Sequence, residues 1–159
     1  MSKTQDISLT VNGEVLTANV PVRMNLVDFL RHEAGLTGSH VGCEHGVCGA
    51  CTIEVNGDTV RGCLMLAVQA NGATVTTIEG LADSGRSAAL IAAFTRRNAL
   101  QCGFCTPGML ASAIAYVEGG GIADKQAIRD HISGNYCRCT GYQSIVDAIH
   151  DVVTEGASA

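Results

Sequence analysis

Charged residues are scarce in this chain of 159 residues. They make up 16% of the sequence, whereas globular proteins average about a quarter. Two explanations stay open at this point: partner chains cover part of the surface, or abundant small residues dilute the count. The formal net charge is −5 and no basic run is present, which argues against a nucleic-acid partner.

Long apolar runs are also missing. No stretch approaches the length of about 20 residues that crosses a membrane. The first residues contain no apolar signal segment and no twin arginine, so we expect a cytoplasmic protein without a membrane span. Cysteines in that compartment are more often metal ligands or catalytic groups than disulfides. The eight cysteines therefore indicate metal chemistry.

The densest cysteine motif is H-V-G-C-E-H-G-V-C-G-A-C-T, over residues 40–52. Cys43, Cys48 and Cys51 have C-x4-C-x2-C spacing, and Cys63 follows after eleven further residues. This is the spacing with which plant-type ferredoxins hold a [2Fe-2S] cluster. The four residues, called the first cysteine set below, are the predicted ligands of one such cluster.

Other interpretations of this loop are weaker. Structural zinc usually takes paired C-x2-C units, and a redox C-x2-C pair would leave Cys43 unexplained. A Rieske centre would need two histidine ligands, so His40 and His45 are expected to be surface or neighbouring residues. Three glycines (Gly42, Gly46 and Gly49) allow the backbone to approach the sulfurs and to direct N–H groups at a buried negative charge.

The second half contains Cys102, Cys105, Cys137 and Cys139, called the second cysteine set. The two pairs are separated by 31 residues. Each pair precedes a predicted helix, beginning at Thr106-Pro107 or at Thr140, and two helix N-termini would favour one anionic cluster between them. Iron–sulfur is the preferred interpretation, although the spacing alone is compatible with zinc. Arg138 is expected to be a structural or interface cation.

The predicted elements divide the chain in two, at residues 1–80 and 81–159. The first part contains hairpins at Asn12-Gly13 and Asn56-Gly57, a helix over residues 25–34 and a last strand over residues 75–78. The second part contains four helices, over residues 87–98, 106–118, 124–132 and 140–153, with Leu90, Ile91 and Phe94 predicted to face inward. The predicted fold class is α+β.

Three segments together resemble a known family. They are G-C-E-H-G-V-C-G-A-C-T-I at residues 42–53, Q-C-G-F-C-T-P-G-M at residues 101–109 and N-Y-C-R-C-T-G-Y at residues 135–142. They are similar to the iron–sulfur subunit of molybdenum hydroxylases of the xanthine oxidase family. The resemblance covers nearly the whole chain and implies a ferredoxin-like β-grasp domain followed by a four-helix domain, with one [2Fe-2S] cluster in each.

The resemblance also implies partners. A large subunit would hold molybdopterin, in a dinucleotide form, and a medium subunit FAD, with the complex a dimer of heterotrimers. Gln101 and Cys139 would contact the pterin, and the first cysteine set would face the flavin. Substrate is then oxidised in the large subunit, and this chain, without a catalytic acid or base, relays single electrons to FAD or another acceptor.

Substrate and rival functions remain open from the sequence. The loop C-E-H-G-V-C resembles subunits that serve heteroaromatic or aldehyde hydroxylases more than those of carbon monoxide dehydrogenases. One alternative is a free-standing ferredoxin-type carrier, which would need only one cluster. Another is a zinc-stabilised interaction module.

Overall fold

The computed structural model describes residues 3–156. A mixed sheet has the strand order β2-β1-β5-β3-β4. The parallel pair is β1 with β5, and the other neighbours are antiparallel. The strands are β1 (Thr4–Val11), β2 (Glu14–Pro21), β3 (Thr52–Val55), β4 (Asp58–Arg61) and β5 (Thr74–Thr76).

Both predicted hairpins are present. Asn12 and Gly13 have φ angles of 51° and 88°, and Asn56 and Gly57 have 52° and 90°. Two successive positive φ angles characterise the turn whose twist matches antiparallel strands, and Asn-Gly is the sequence that favours it. The last predicted strand is shorter than expected, because Ile78 begins a helix instead of ending the strand.

The helix predicted after Pro21 begins as expected. Asn25 accepts a hydrogen bond from the Asp28 N–H at 2.8 Å, and α1 (Leu26–Asp28) continues as a π-helical turn over Phe29–Glu33. The wider turn was not predicted. Its Phe29 and Leu30 side chains are fully buried against the sheet. Gly35, at φ 71°, lies just beyond the end of this segment, where a left-handed glycine commonly ends a helix.

The four predicted helices of the second half are present, and one additional helix crosses from the first half into the second. The additional helix is α2, which connects the sheet to the others. The helices are α2 (Ile78–Asp83), α3 (Ala88–Arg96), α4 (Thr106–Glu118), α5 (Lys125–Ile132) and α6 (Gln143–Gly156). None of the described helices is long and apolar enough to cross a membrane.

Two details of the helix predictions are wrong. Ile91 was expected inside but is 41% exposed, because the buried face of α3 is formed by Leu90, Ala93 and Phe94. The last helix begins at Gln143 and not at Thr140. Tyr142 has φ 70°, and a left-handed residue ends any right-handed helix that would continue through it.

Each half of the chain has an apolar core of its own. The first core consists of buried side chains between Ile7 and Val75, from the sheet and α1. The second consists of buried side chains between Leu81 and Val152, from the helices. No buried residue belongs to both described clusters, so the halves meet through other contacts.

One of those contacts is ionic. Arg86, between α2 and α3, binds the carboxylates of Glu54 on β3 and Glu118 on α4, with an Nη2–Oε2 distance of 2.9 Å to Glu54. The hydrogen bond from Arg86 holds the pKa of Glu118 below its ordinary value of 4.5. The charge pair therefore stabilises the fold at pH values above 4.5, and this stabilisation is lost as the pH falls through the lower folded-state pKa.

We expect the Arg86→Ala variant to lose about 1 kcal/mol or less, because all three groups are partly exposed. Its free energy of unfolding should also fall less between pH 7 and pH 3 than that of the wild type. Denaturant titrations across this range would measure both effects, with Arg23→Ala as the control for removal of a positive charge. An unchanged pH dependence would contradict the assignment.

Candidate metal centres

The first cysteine set lies on the loop between α1 and β3 and just beyond β4. The Cys48 N–H lies 3.4 Å from Cys43 Sγ, and this backbone donor lowers the pKa of Cys43 to about 6, helped by the His45 N–H. Burial raises the pKa of Cys63 to about 11, and its neighbour Cys51 adds to the shift. The Cys43 and Cys48 thiols also interact with each other, as do those of Cys51 and Cys63, so the set contains two thiol pairs.

The second cysteine set also forms two pairs. Cys102 Sγ and Cys139 Sγ lie 3.6 Å apart, close to the ~3.7 Å between two thiolates on one tetrahedral ion with bonds of about 2.3 Å. Burial raises the pKa of Cys105 to about 12, and its neighbour Cys137 contributes. The pairs 31 residues apart in the sequence therefore meet, as predicted.

The paired arrangement suits a two-iron cluster. As the side chains stand, no group of three or more His, Cys, Asp or Glu residues within residues 3–156 is placed to hold a metal ion. A [2Fe-2S] cluster requires two ligands on each of two irons, and each cysteine set supplies two pairs. Thiols whose pKa is raised by burial lose their protons when a cation binds.

Backbone and hydroxyl donors point at the sulfurs. N–H groups of His45, Val47 and Cys48 face Cys43, and the Gly46 N–H faces Cys63. In the second set, Thr140 Oγ1 donates to Cys137 Sγ at 3.1 Å. Such donors stabilise negative sulfur without a counter-ion. Of the three glycines predicted to help in this way, Gly46 directs its N–H at the Cys63 sulfur. Gly49 instead packs closely against the second half of the chain.

The two cysteine loops are in direct contact. The Tyr136 N–H, beside Cys137, donates to the carbonyl oxygen of Cys48 at 2.8 Å. A Cβ on Gly108 would lie 2.2 Å from the carbonyl oxygen of Gly49. The first turn of α4 therefore rests on the loop between Cys48 and Cys51, and only glycine permits this approach. This contact region is called the seam below.

Side chains complete the seam. Arg61 Nη2 donates to the Gly134 carbonyl oxygen at 2.8 Å. Asn135 is 3% exposed and donates to the carbonyl oxygens of Gly49 and Gly108, each at 3.0 Å. Sequence reasoning missed both residues. The only available signal was the position of Asn135 two residues before Cys137, which does not reveal burial.

The second cysteine set has an exposed edge. Cys102 and Cys139 are exposed, and Gln101 Nε2 donates to the Cys139 carbonyl oxygen at 3.1 Å. The two residues predicted to contact a pterin thus lie together at the surface. Exposed apolar side chains on the same loops are Leu100, Phe104 and Tyr136.

His40 and His45, the two histidines of the first cysteine motif, are not members of either cysteine set. His40 stacks on Phe104, with ring centroids 4.8 Å apart, and its Nδ1 is 2.8 Å from the Phe104 carbonyl oxygen. His45 Nδ1 contacts the Cys43 carbonyl oxygen. His40 therefore connects the segment before the first set to the loop between Cys102 and Cys105, a contact that the sequence did not predict.

Family models and solved structures agree with this architecture. Residues 9–82 match a 2Fe-2S iron–sulfur cluster binding domain, and residues 77–150 match a [2Fe-2S] binding domain. The fold superimposes on quinoline 2-oxidoreductase from Pseudomonas putida 86 with a TM-score of 0.87 and 46% identity, covering 99% of this chain and 98% of that one. The chain is therefore a subunit with two [2Fe-2S]-binding domains.

Curated relatives specify the class further. The chain is 54% identical to the caffeine dehydrogenase subunit gamma of Pseudomonas sp. (strain CBB1), over 92% of this chain and 89% of the relative. It is 49% identical to the nicotine 6-hydroxylase small subunit of Paenarthrobacter nicotinovorans, over 92% and 88%. The chain belongs to the iron–sulfur small subunits of the molybdenum hydroxylases of the xanthine oxidase family. Its function is electron transfer in an oxidoreductase complex, and the free-standing carrier is not favoured.

Proposed function

We propose that the first and second cysteine sets each hold one [2Fe-2S] cluster and that the chain relays electrons from the second set to the first. The observation that carries this proposal is the arrangement of both sets as two thiol pairs. When bound, the clusters would supply one-electron redox chemistry. The residues of this chain hold the iron, direct N–H and O–H donors at sulfur, and fix the two sets relative to each other.

The exposed edge of the second set supports its role as the entry point. Cys102 and Cys139 are exposed beside Gln101, whereas the buried thiols Cys51 and Cys137 lie deeper. We propose that this edge docks on a large subunit and that Gln101 and Cys139 contact its molybdopterin. The three exposed apolar side chains of these loops (Leu100, Phe104 and Tyr136) then form part of that interface.

The electron acceptor, the assembly and the substrate class are proposed from the family resemblance and from the names of the relatives. The proposed acceptor is FAD in a medium subunit facing the first set, and the proposed assembly is a dimer of heterotrimers in the cytoplasm. We place the domain boundary between residues 80 and 81. Relatives named for caffeine and nicotine favour an N-heteroaromatic substrate for the complex over an aldehyde.

Metal analysis tests the proposal directly. We expect about four irons and four acid-labile sulfides per chain, because each cluster contains two of each. Reduction should produce two distinct paramagnetic signals. Zinc in place of iron, or a single signal from fully loaded protein, would contradict the proposal. Chains that co-purify would identify the partners.

A further inference from the structure

Asn135 connects the segments that carry the two cysteine sets. Its side chain lies in the seam and is 3% exposed. Its Nδ2 donates to Gly49 in the first set's loop and to Gly108 in the first turn of α4. The residue itself stands two positions before Cys137. One amide therefore contacts the segments on both sides of the seam.

The hydrogen bonds use both N–H donors of this amide and one lone pair of its carbonyl oxygen. The two Nδ2 protons reach the carbonyl oxygens of Gly49 and Gly108, and the Thr52 hydroxyl lies at 3.3 Å. Asn135 Oδ1 accepts from Ser112 Oγ at 2.9 Å. A primary amide has two N–H donors and a carbonyl oxygen with two lone pairs, and a buried network in which each polar group has a partner holds its groups in one arrangement.

The surrounding backbone leaves little freedom. A Cβ on Gly49 would lie 2.5 Å from the Gly134 carbonyl oxygen, and one on Gly108 would lie 2.2 Å from that of Gly49. The backbone segments at Gly49, Gly108 and Gly134 therefore lie too close together to admit a side chain at Gly49 or Gly108. Tyr136 N–H holds the Cys48 carbonyl oxygen on the same side. The Asn135 side chain joins two of these close-packed segments through Gly49 and Gly108, while Arg61 binds Gly134.

We propose that Asn135 is a positioning residue, which fixes the separation and orientation of the two cysteine sets and thereby the rate of electron transfer between their clusters. This inference rests on the proposed function of the two sets. In the transfer, one electron leaves the cluster at the second set and reduces the cluster at the first, and no bond is made or broken. The rate of electron transfer depends on the separation and relative orientation of the two clusters, so a residue that holds the two loops in one arrangement also sets that rate.

The test uses the full chain in its iron-loaded complex and the variants Asn135→Ala and Asn135→Ser. The first removes every hydrogen bond of the amide, and the second keeps one hydroxyl donor. Ser133→Ala is the matched control, because Ser133 is exposed on the same loop. We measure iron content, the magnetic splitting between the two signals in fully reduced protein, and the rate of electron redistribution after rapid reduction.

We expect both Asn135 variants to retain their iron and both signals. The magnetic splitting should change, and electron redistribution should slow several-fold in Asn135→Ala and by less in Asn135→Ser, since the first variant removes every hydrogen bond of the amide. Unchanged splitting and rate in both variants would overturn the proposal. Loss of iron from both would also overturn it, since the side chain would then serve cluster retention. A wild type without two signals would instead refute the proposed function.

Discussion

Replacing Gly108 with alanine is expected to destabilise the protein by about 3 kcal/mol, at the upper end of the usual cost of overpacking. The new Cβ would lie 2.2 Å from the Gly49 carbonyl oxygen and 3.1 Å from the backbone of Ala50. These are backbone atoms of the first cysteine loop, so no side chain can rotate to make room. The helix-propensity gain of about 1 kcal/mol for alanine over glycine is too small to offset the overlap.

Thermal unfolding of the iron-loaded chain would measure this effect, and a loss of this size corresponds to a Tm decrease of about 6–12 °C. Gly156→Ala is the matched control, because a Cβ there meets nothing within 4 Å. The control should leave Tm nearly unchanged. An equal Tm for Gly108→Ala and the wild type would show that α4 does not rest on the first cysteine loop as described.

The Cys48→Ser variant is expected to lose the plant-type signal and about half of the iron, while the second cysteine set keeps its cluster. The substitution removes a proposed ligand of the first set. It leaves the Cys48 carbonyl oxygen, which accepts from the Tyr136 N–H, so the seam remains in place. Iron analysis and paramagnetic resonance of the reduced protein would measure both outcomes.

Val47→Ser is the control for this variant. Val47 is adjacent to Cys48 and its side chain is 45% exposed, so its replacement should preserve both signals. Retention of both signals in Cys48→Ser would remove Cys48 from the proposed ligands. Loss of both signals together would show that the two centres depend on each other for assembly.

Local sequence signals predicted most of the fold. The Asn-Gly turns and the hydrogen bond of Asn25 at the start of α1 involve residues only a few positions apart, so the sequence alone reveals them. The π-helical turn at Phe29–Glu33 and the late start of α6 at Gln143 were missed. Both depend on how a segment packs against the rest of the chain, which local periodicity does not report.

For a similar reason, the sequence predicted the cysteines of the candidate site but not the residues of the seam. Cysteine spacing predicts a [2Fe-2S] cluster at the first cysteine set, because its C-x4-C-x2-C pattern is the plant-type one, whereas the spacing of the second set alone was also compatible with zinc. The seam involves residues without a distinctive spacing: Arg61 binds Gly134 across 73 positions, and Asn135 binds Gly49 across 86. Ordinary Arg and Asn residues acquire these roles only when the two halves are in contact.

The separation of the two apolar cores has a consequence for the order of assembly during synthesis. Every buried side chain of the first core precedes residue 76, and every one of the second follows residue 80. Domains fold as units, N-terminal first, as the chain leaves the ribosome. The sheet and the first cysteine loop can therefore form before Asn135 is translated. The seam closes last, when the segment carrying Asn135 and Cys137 reaches a surface that is already in place.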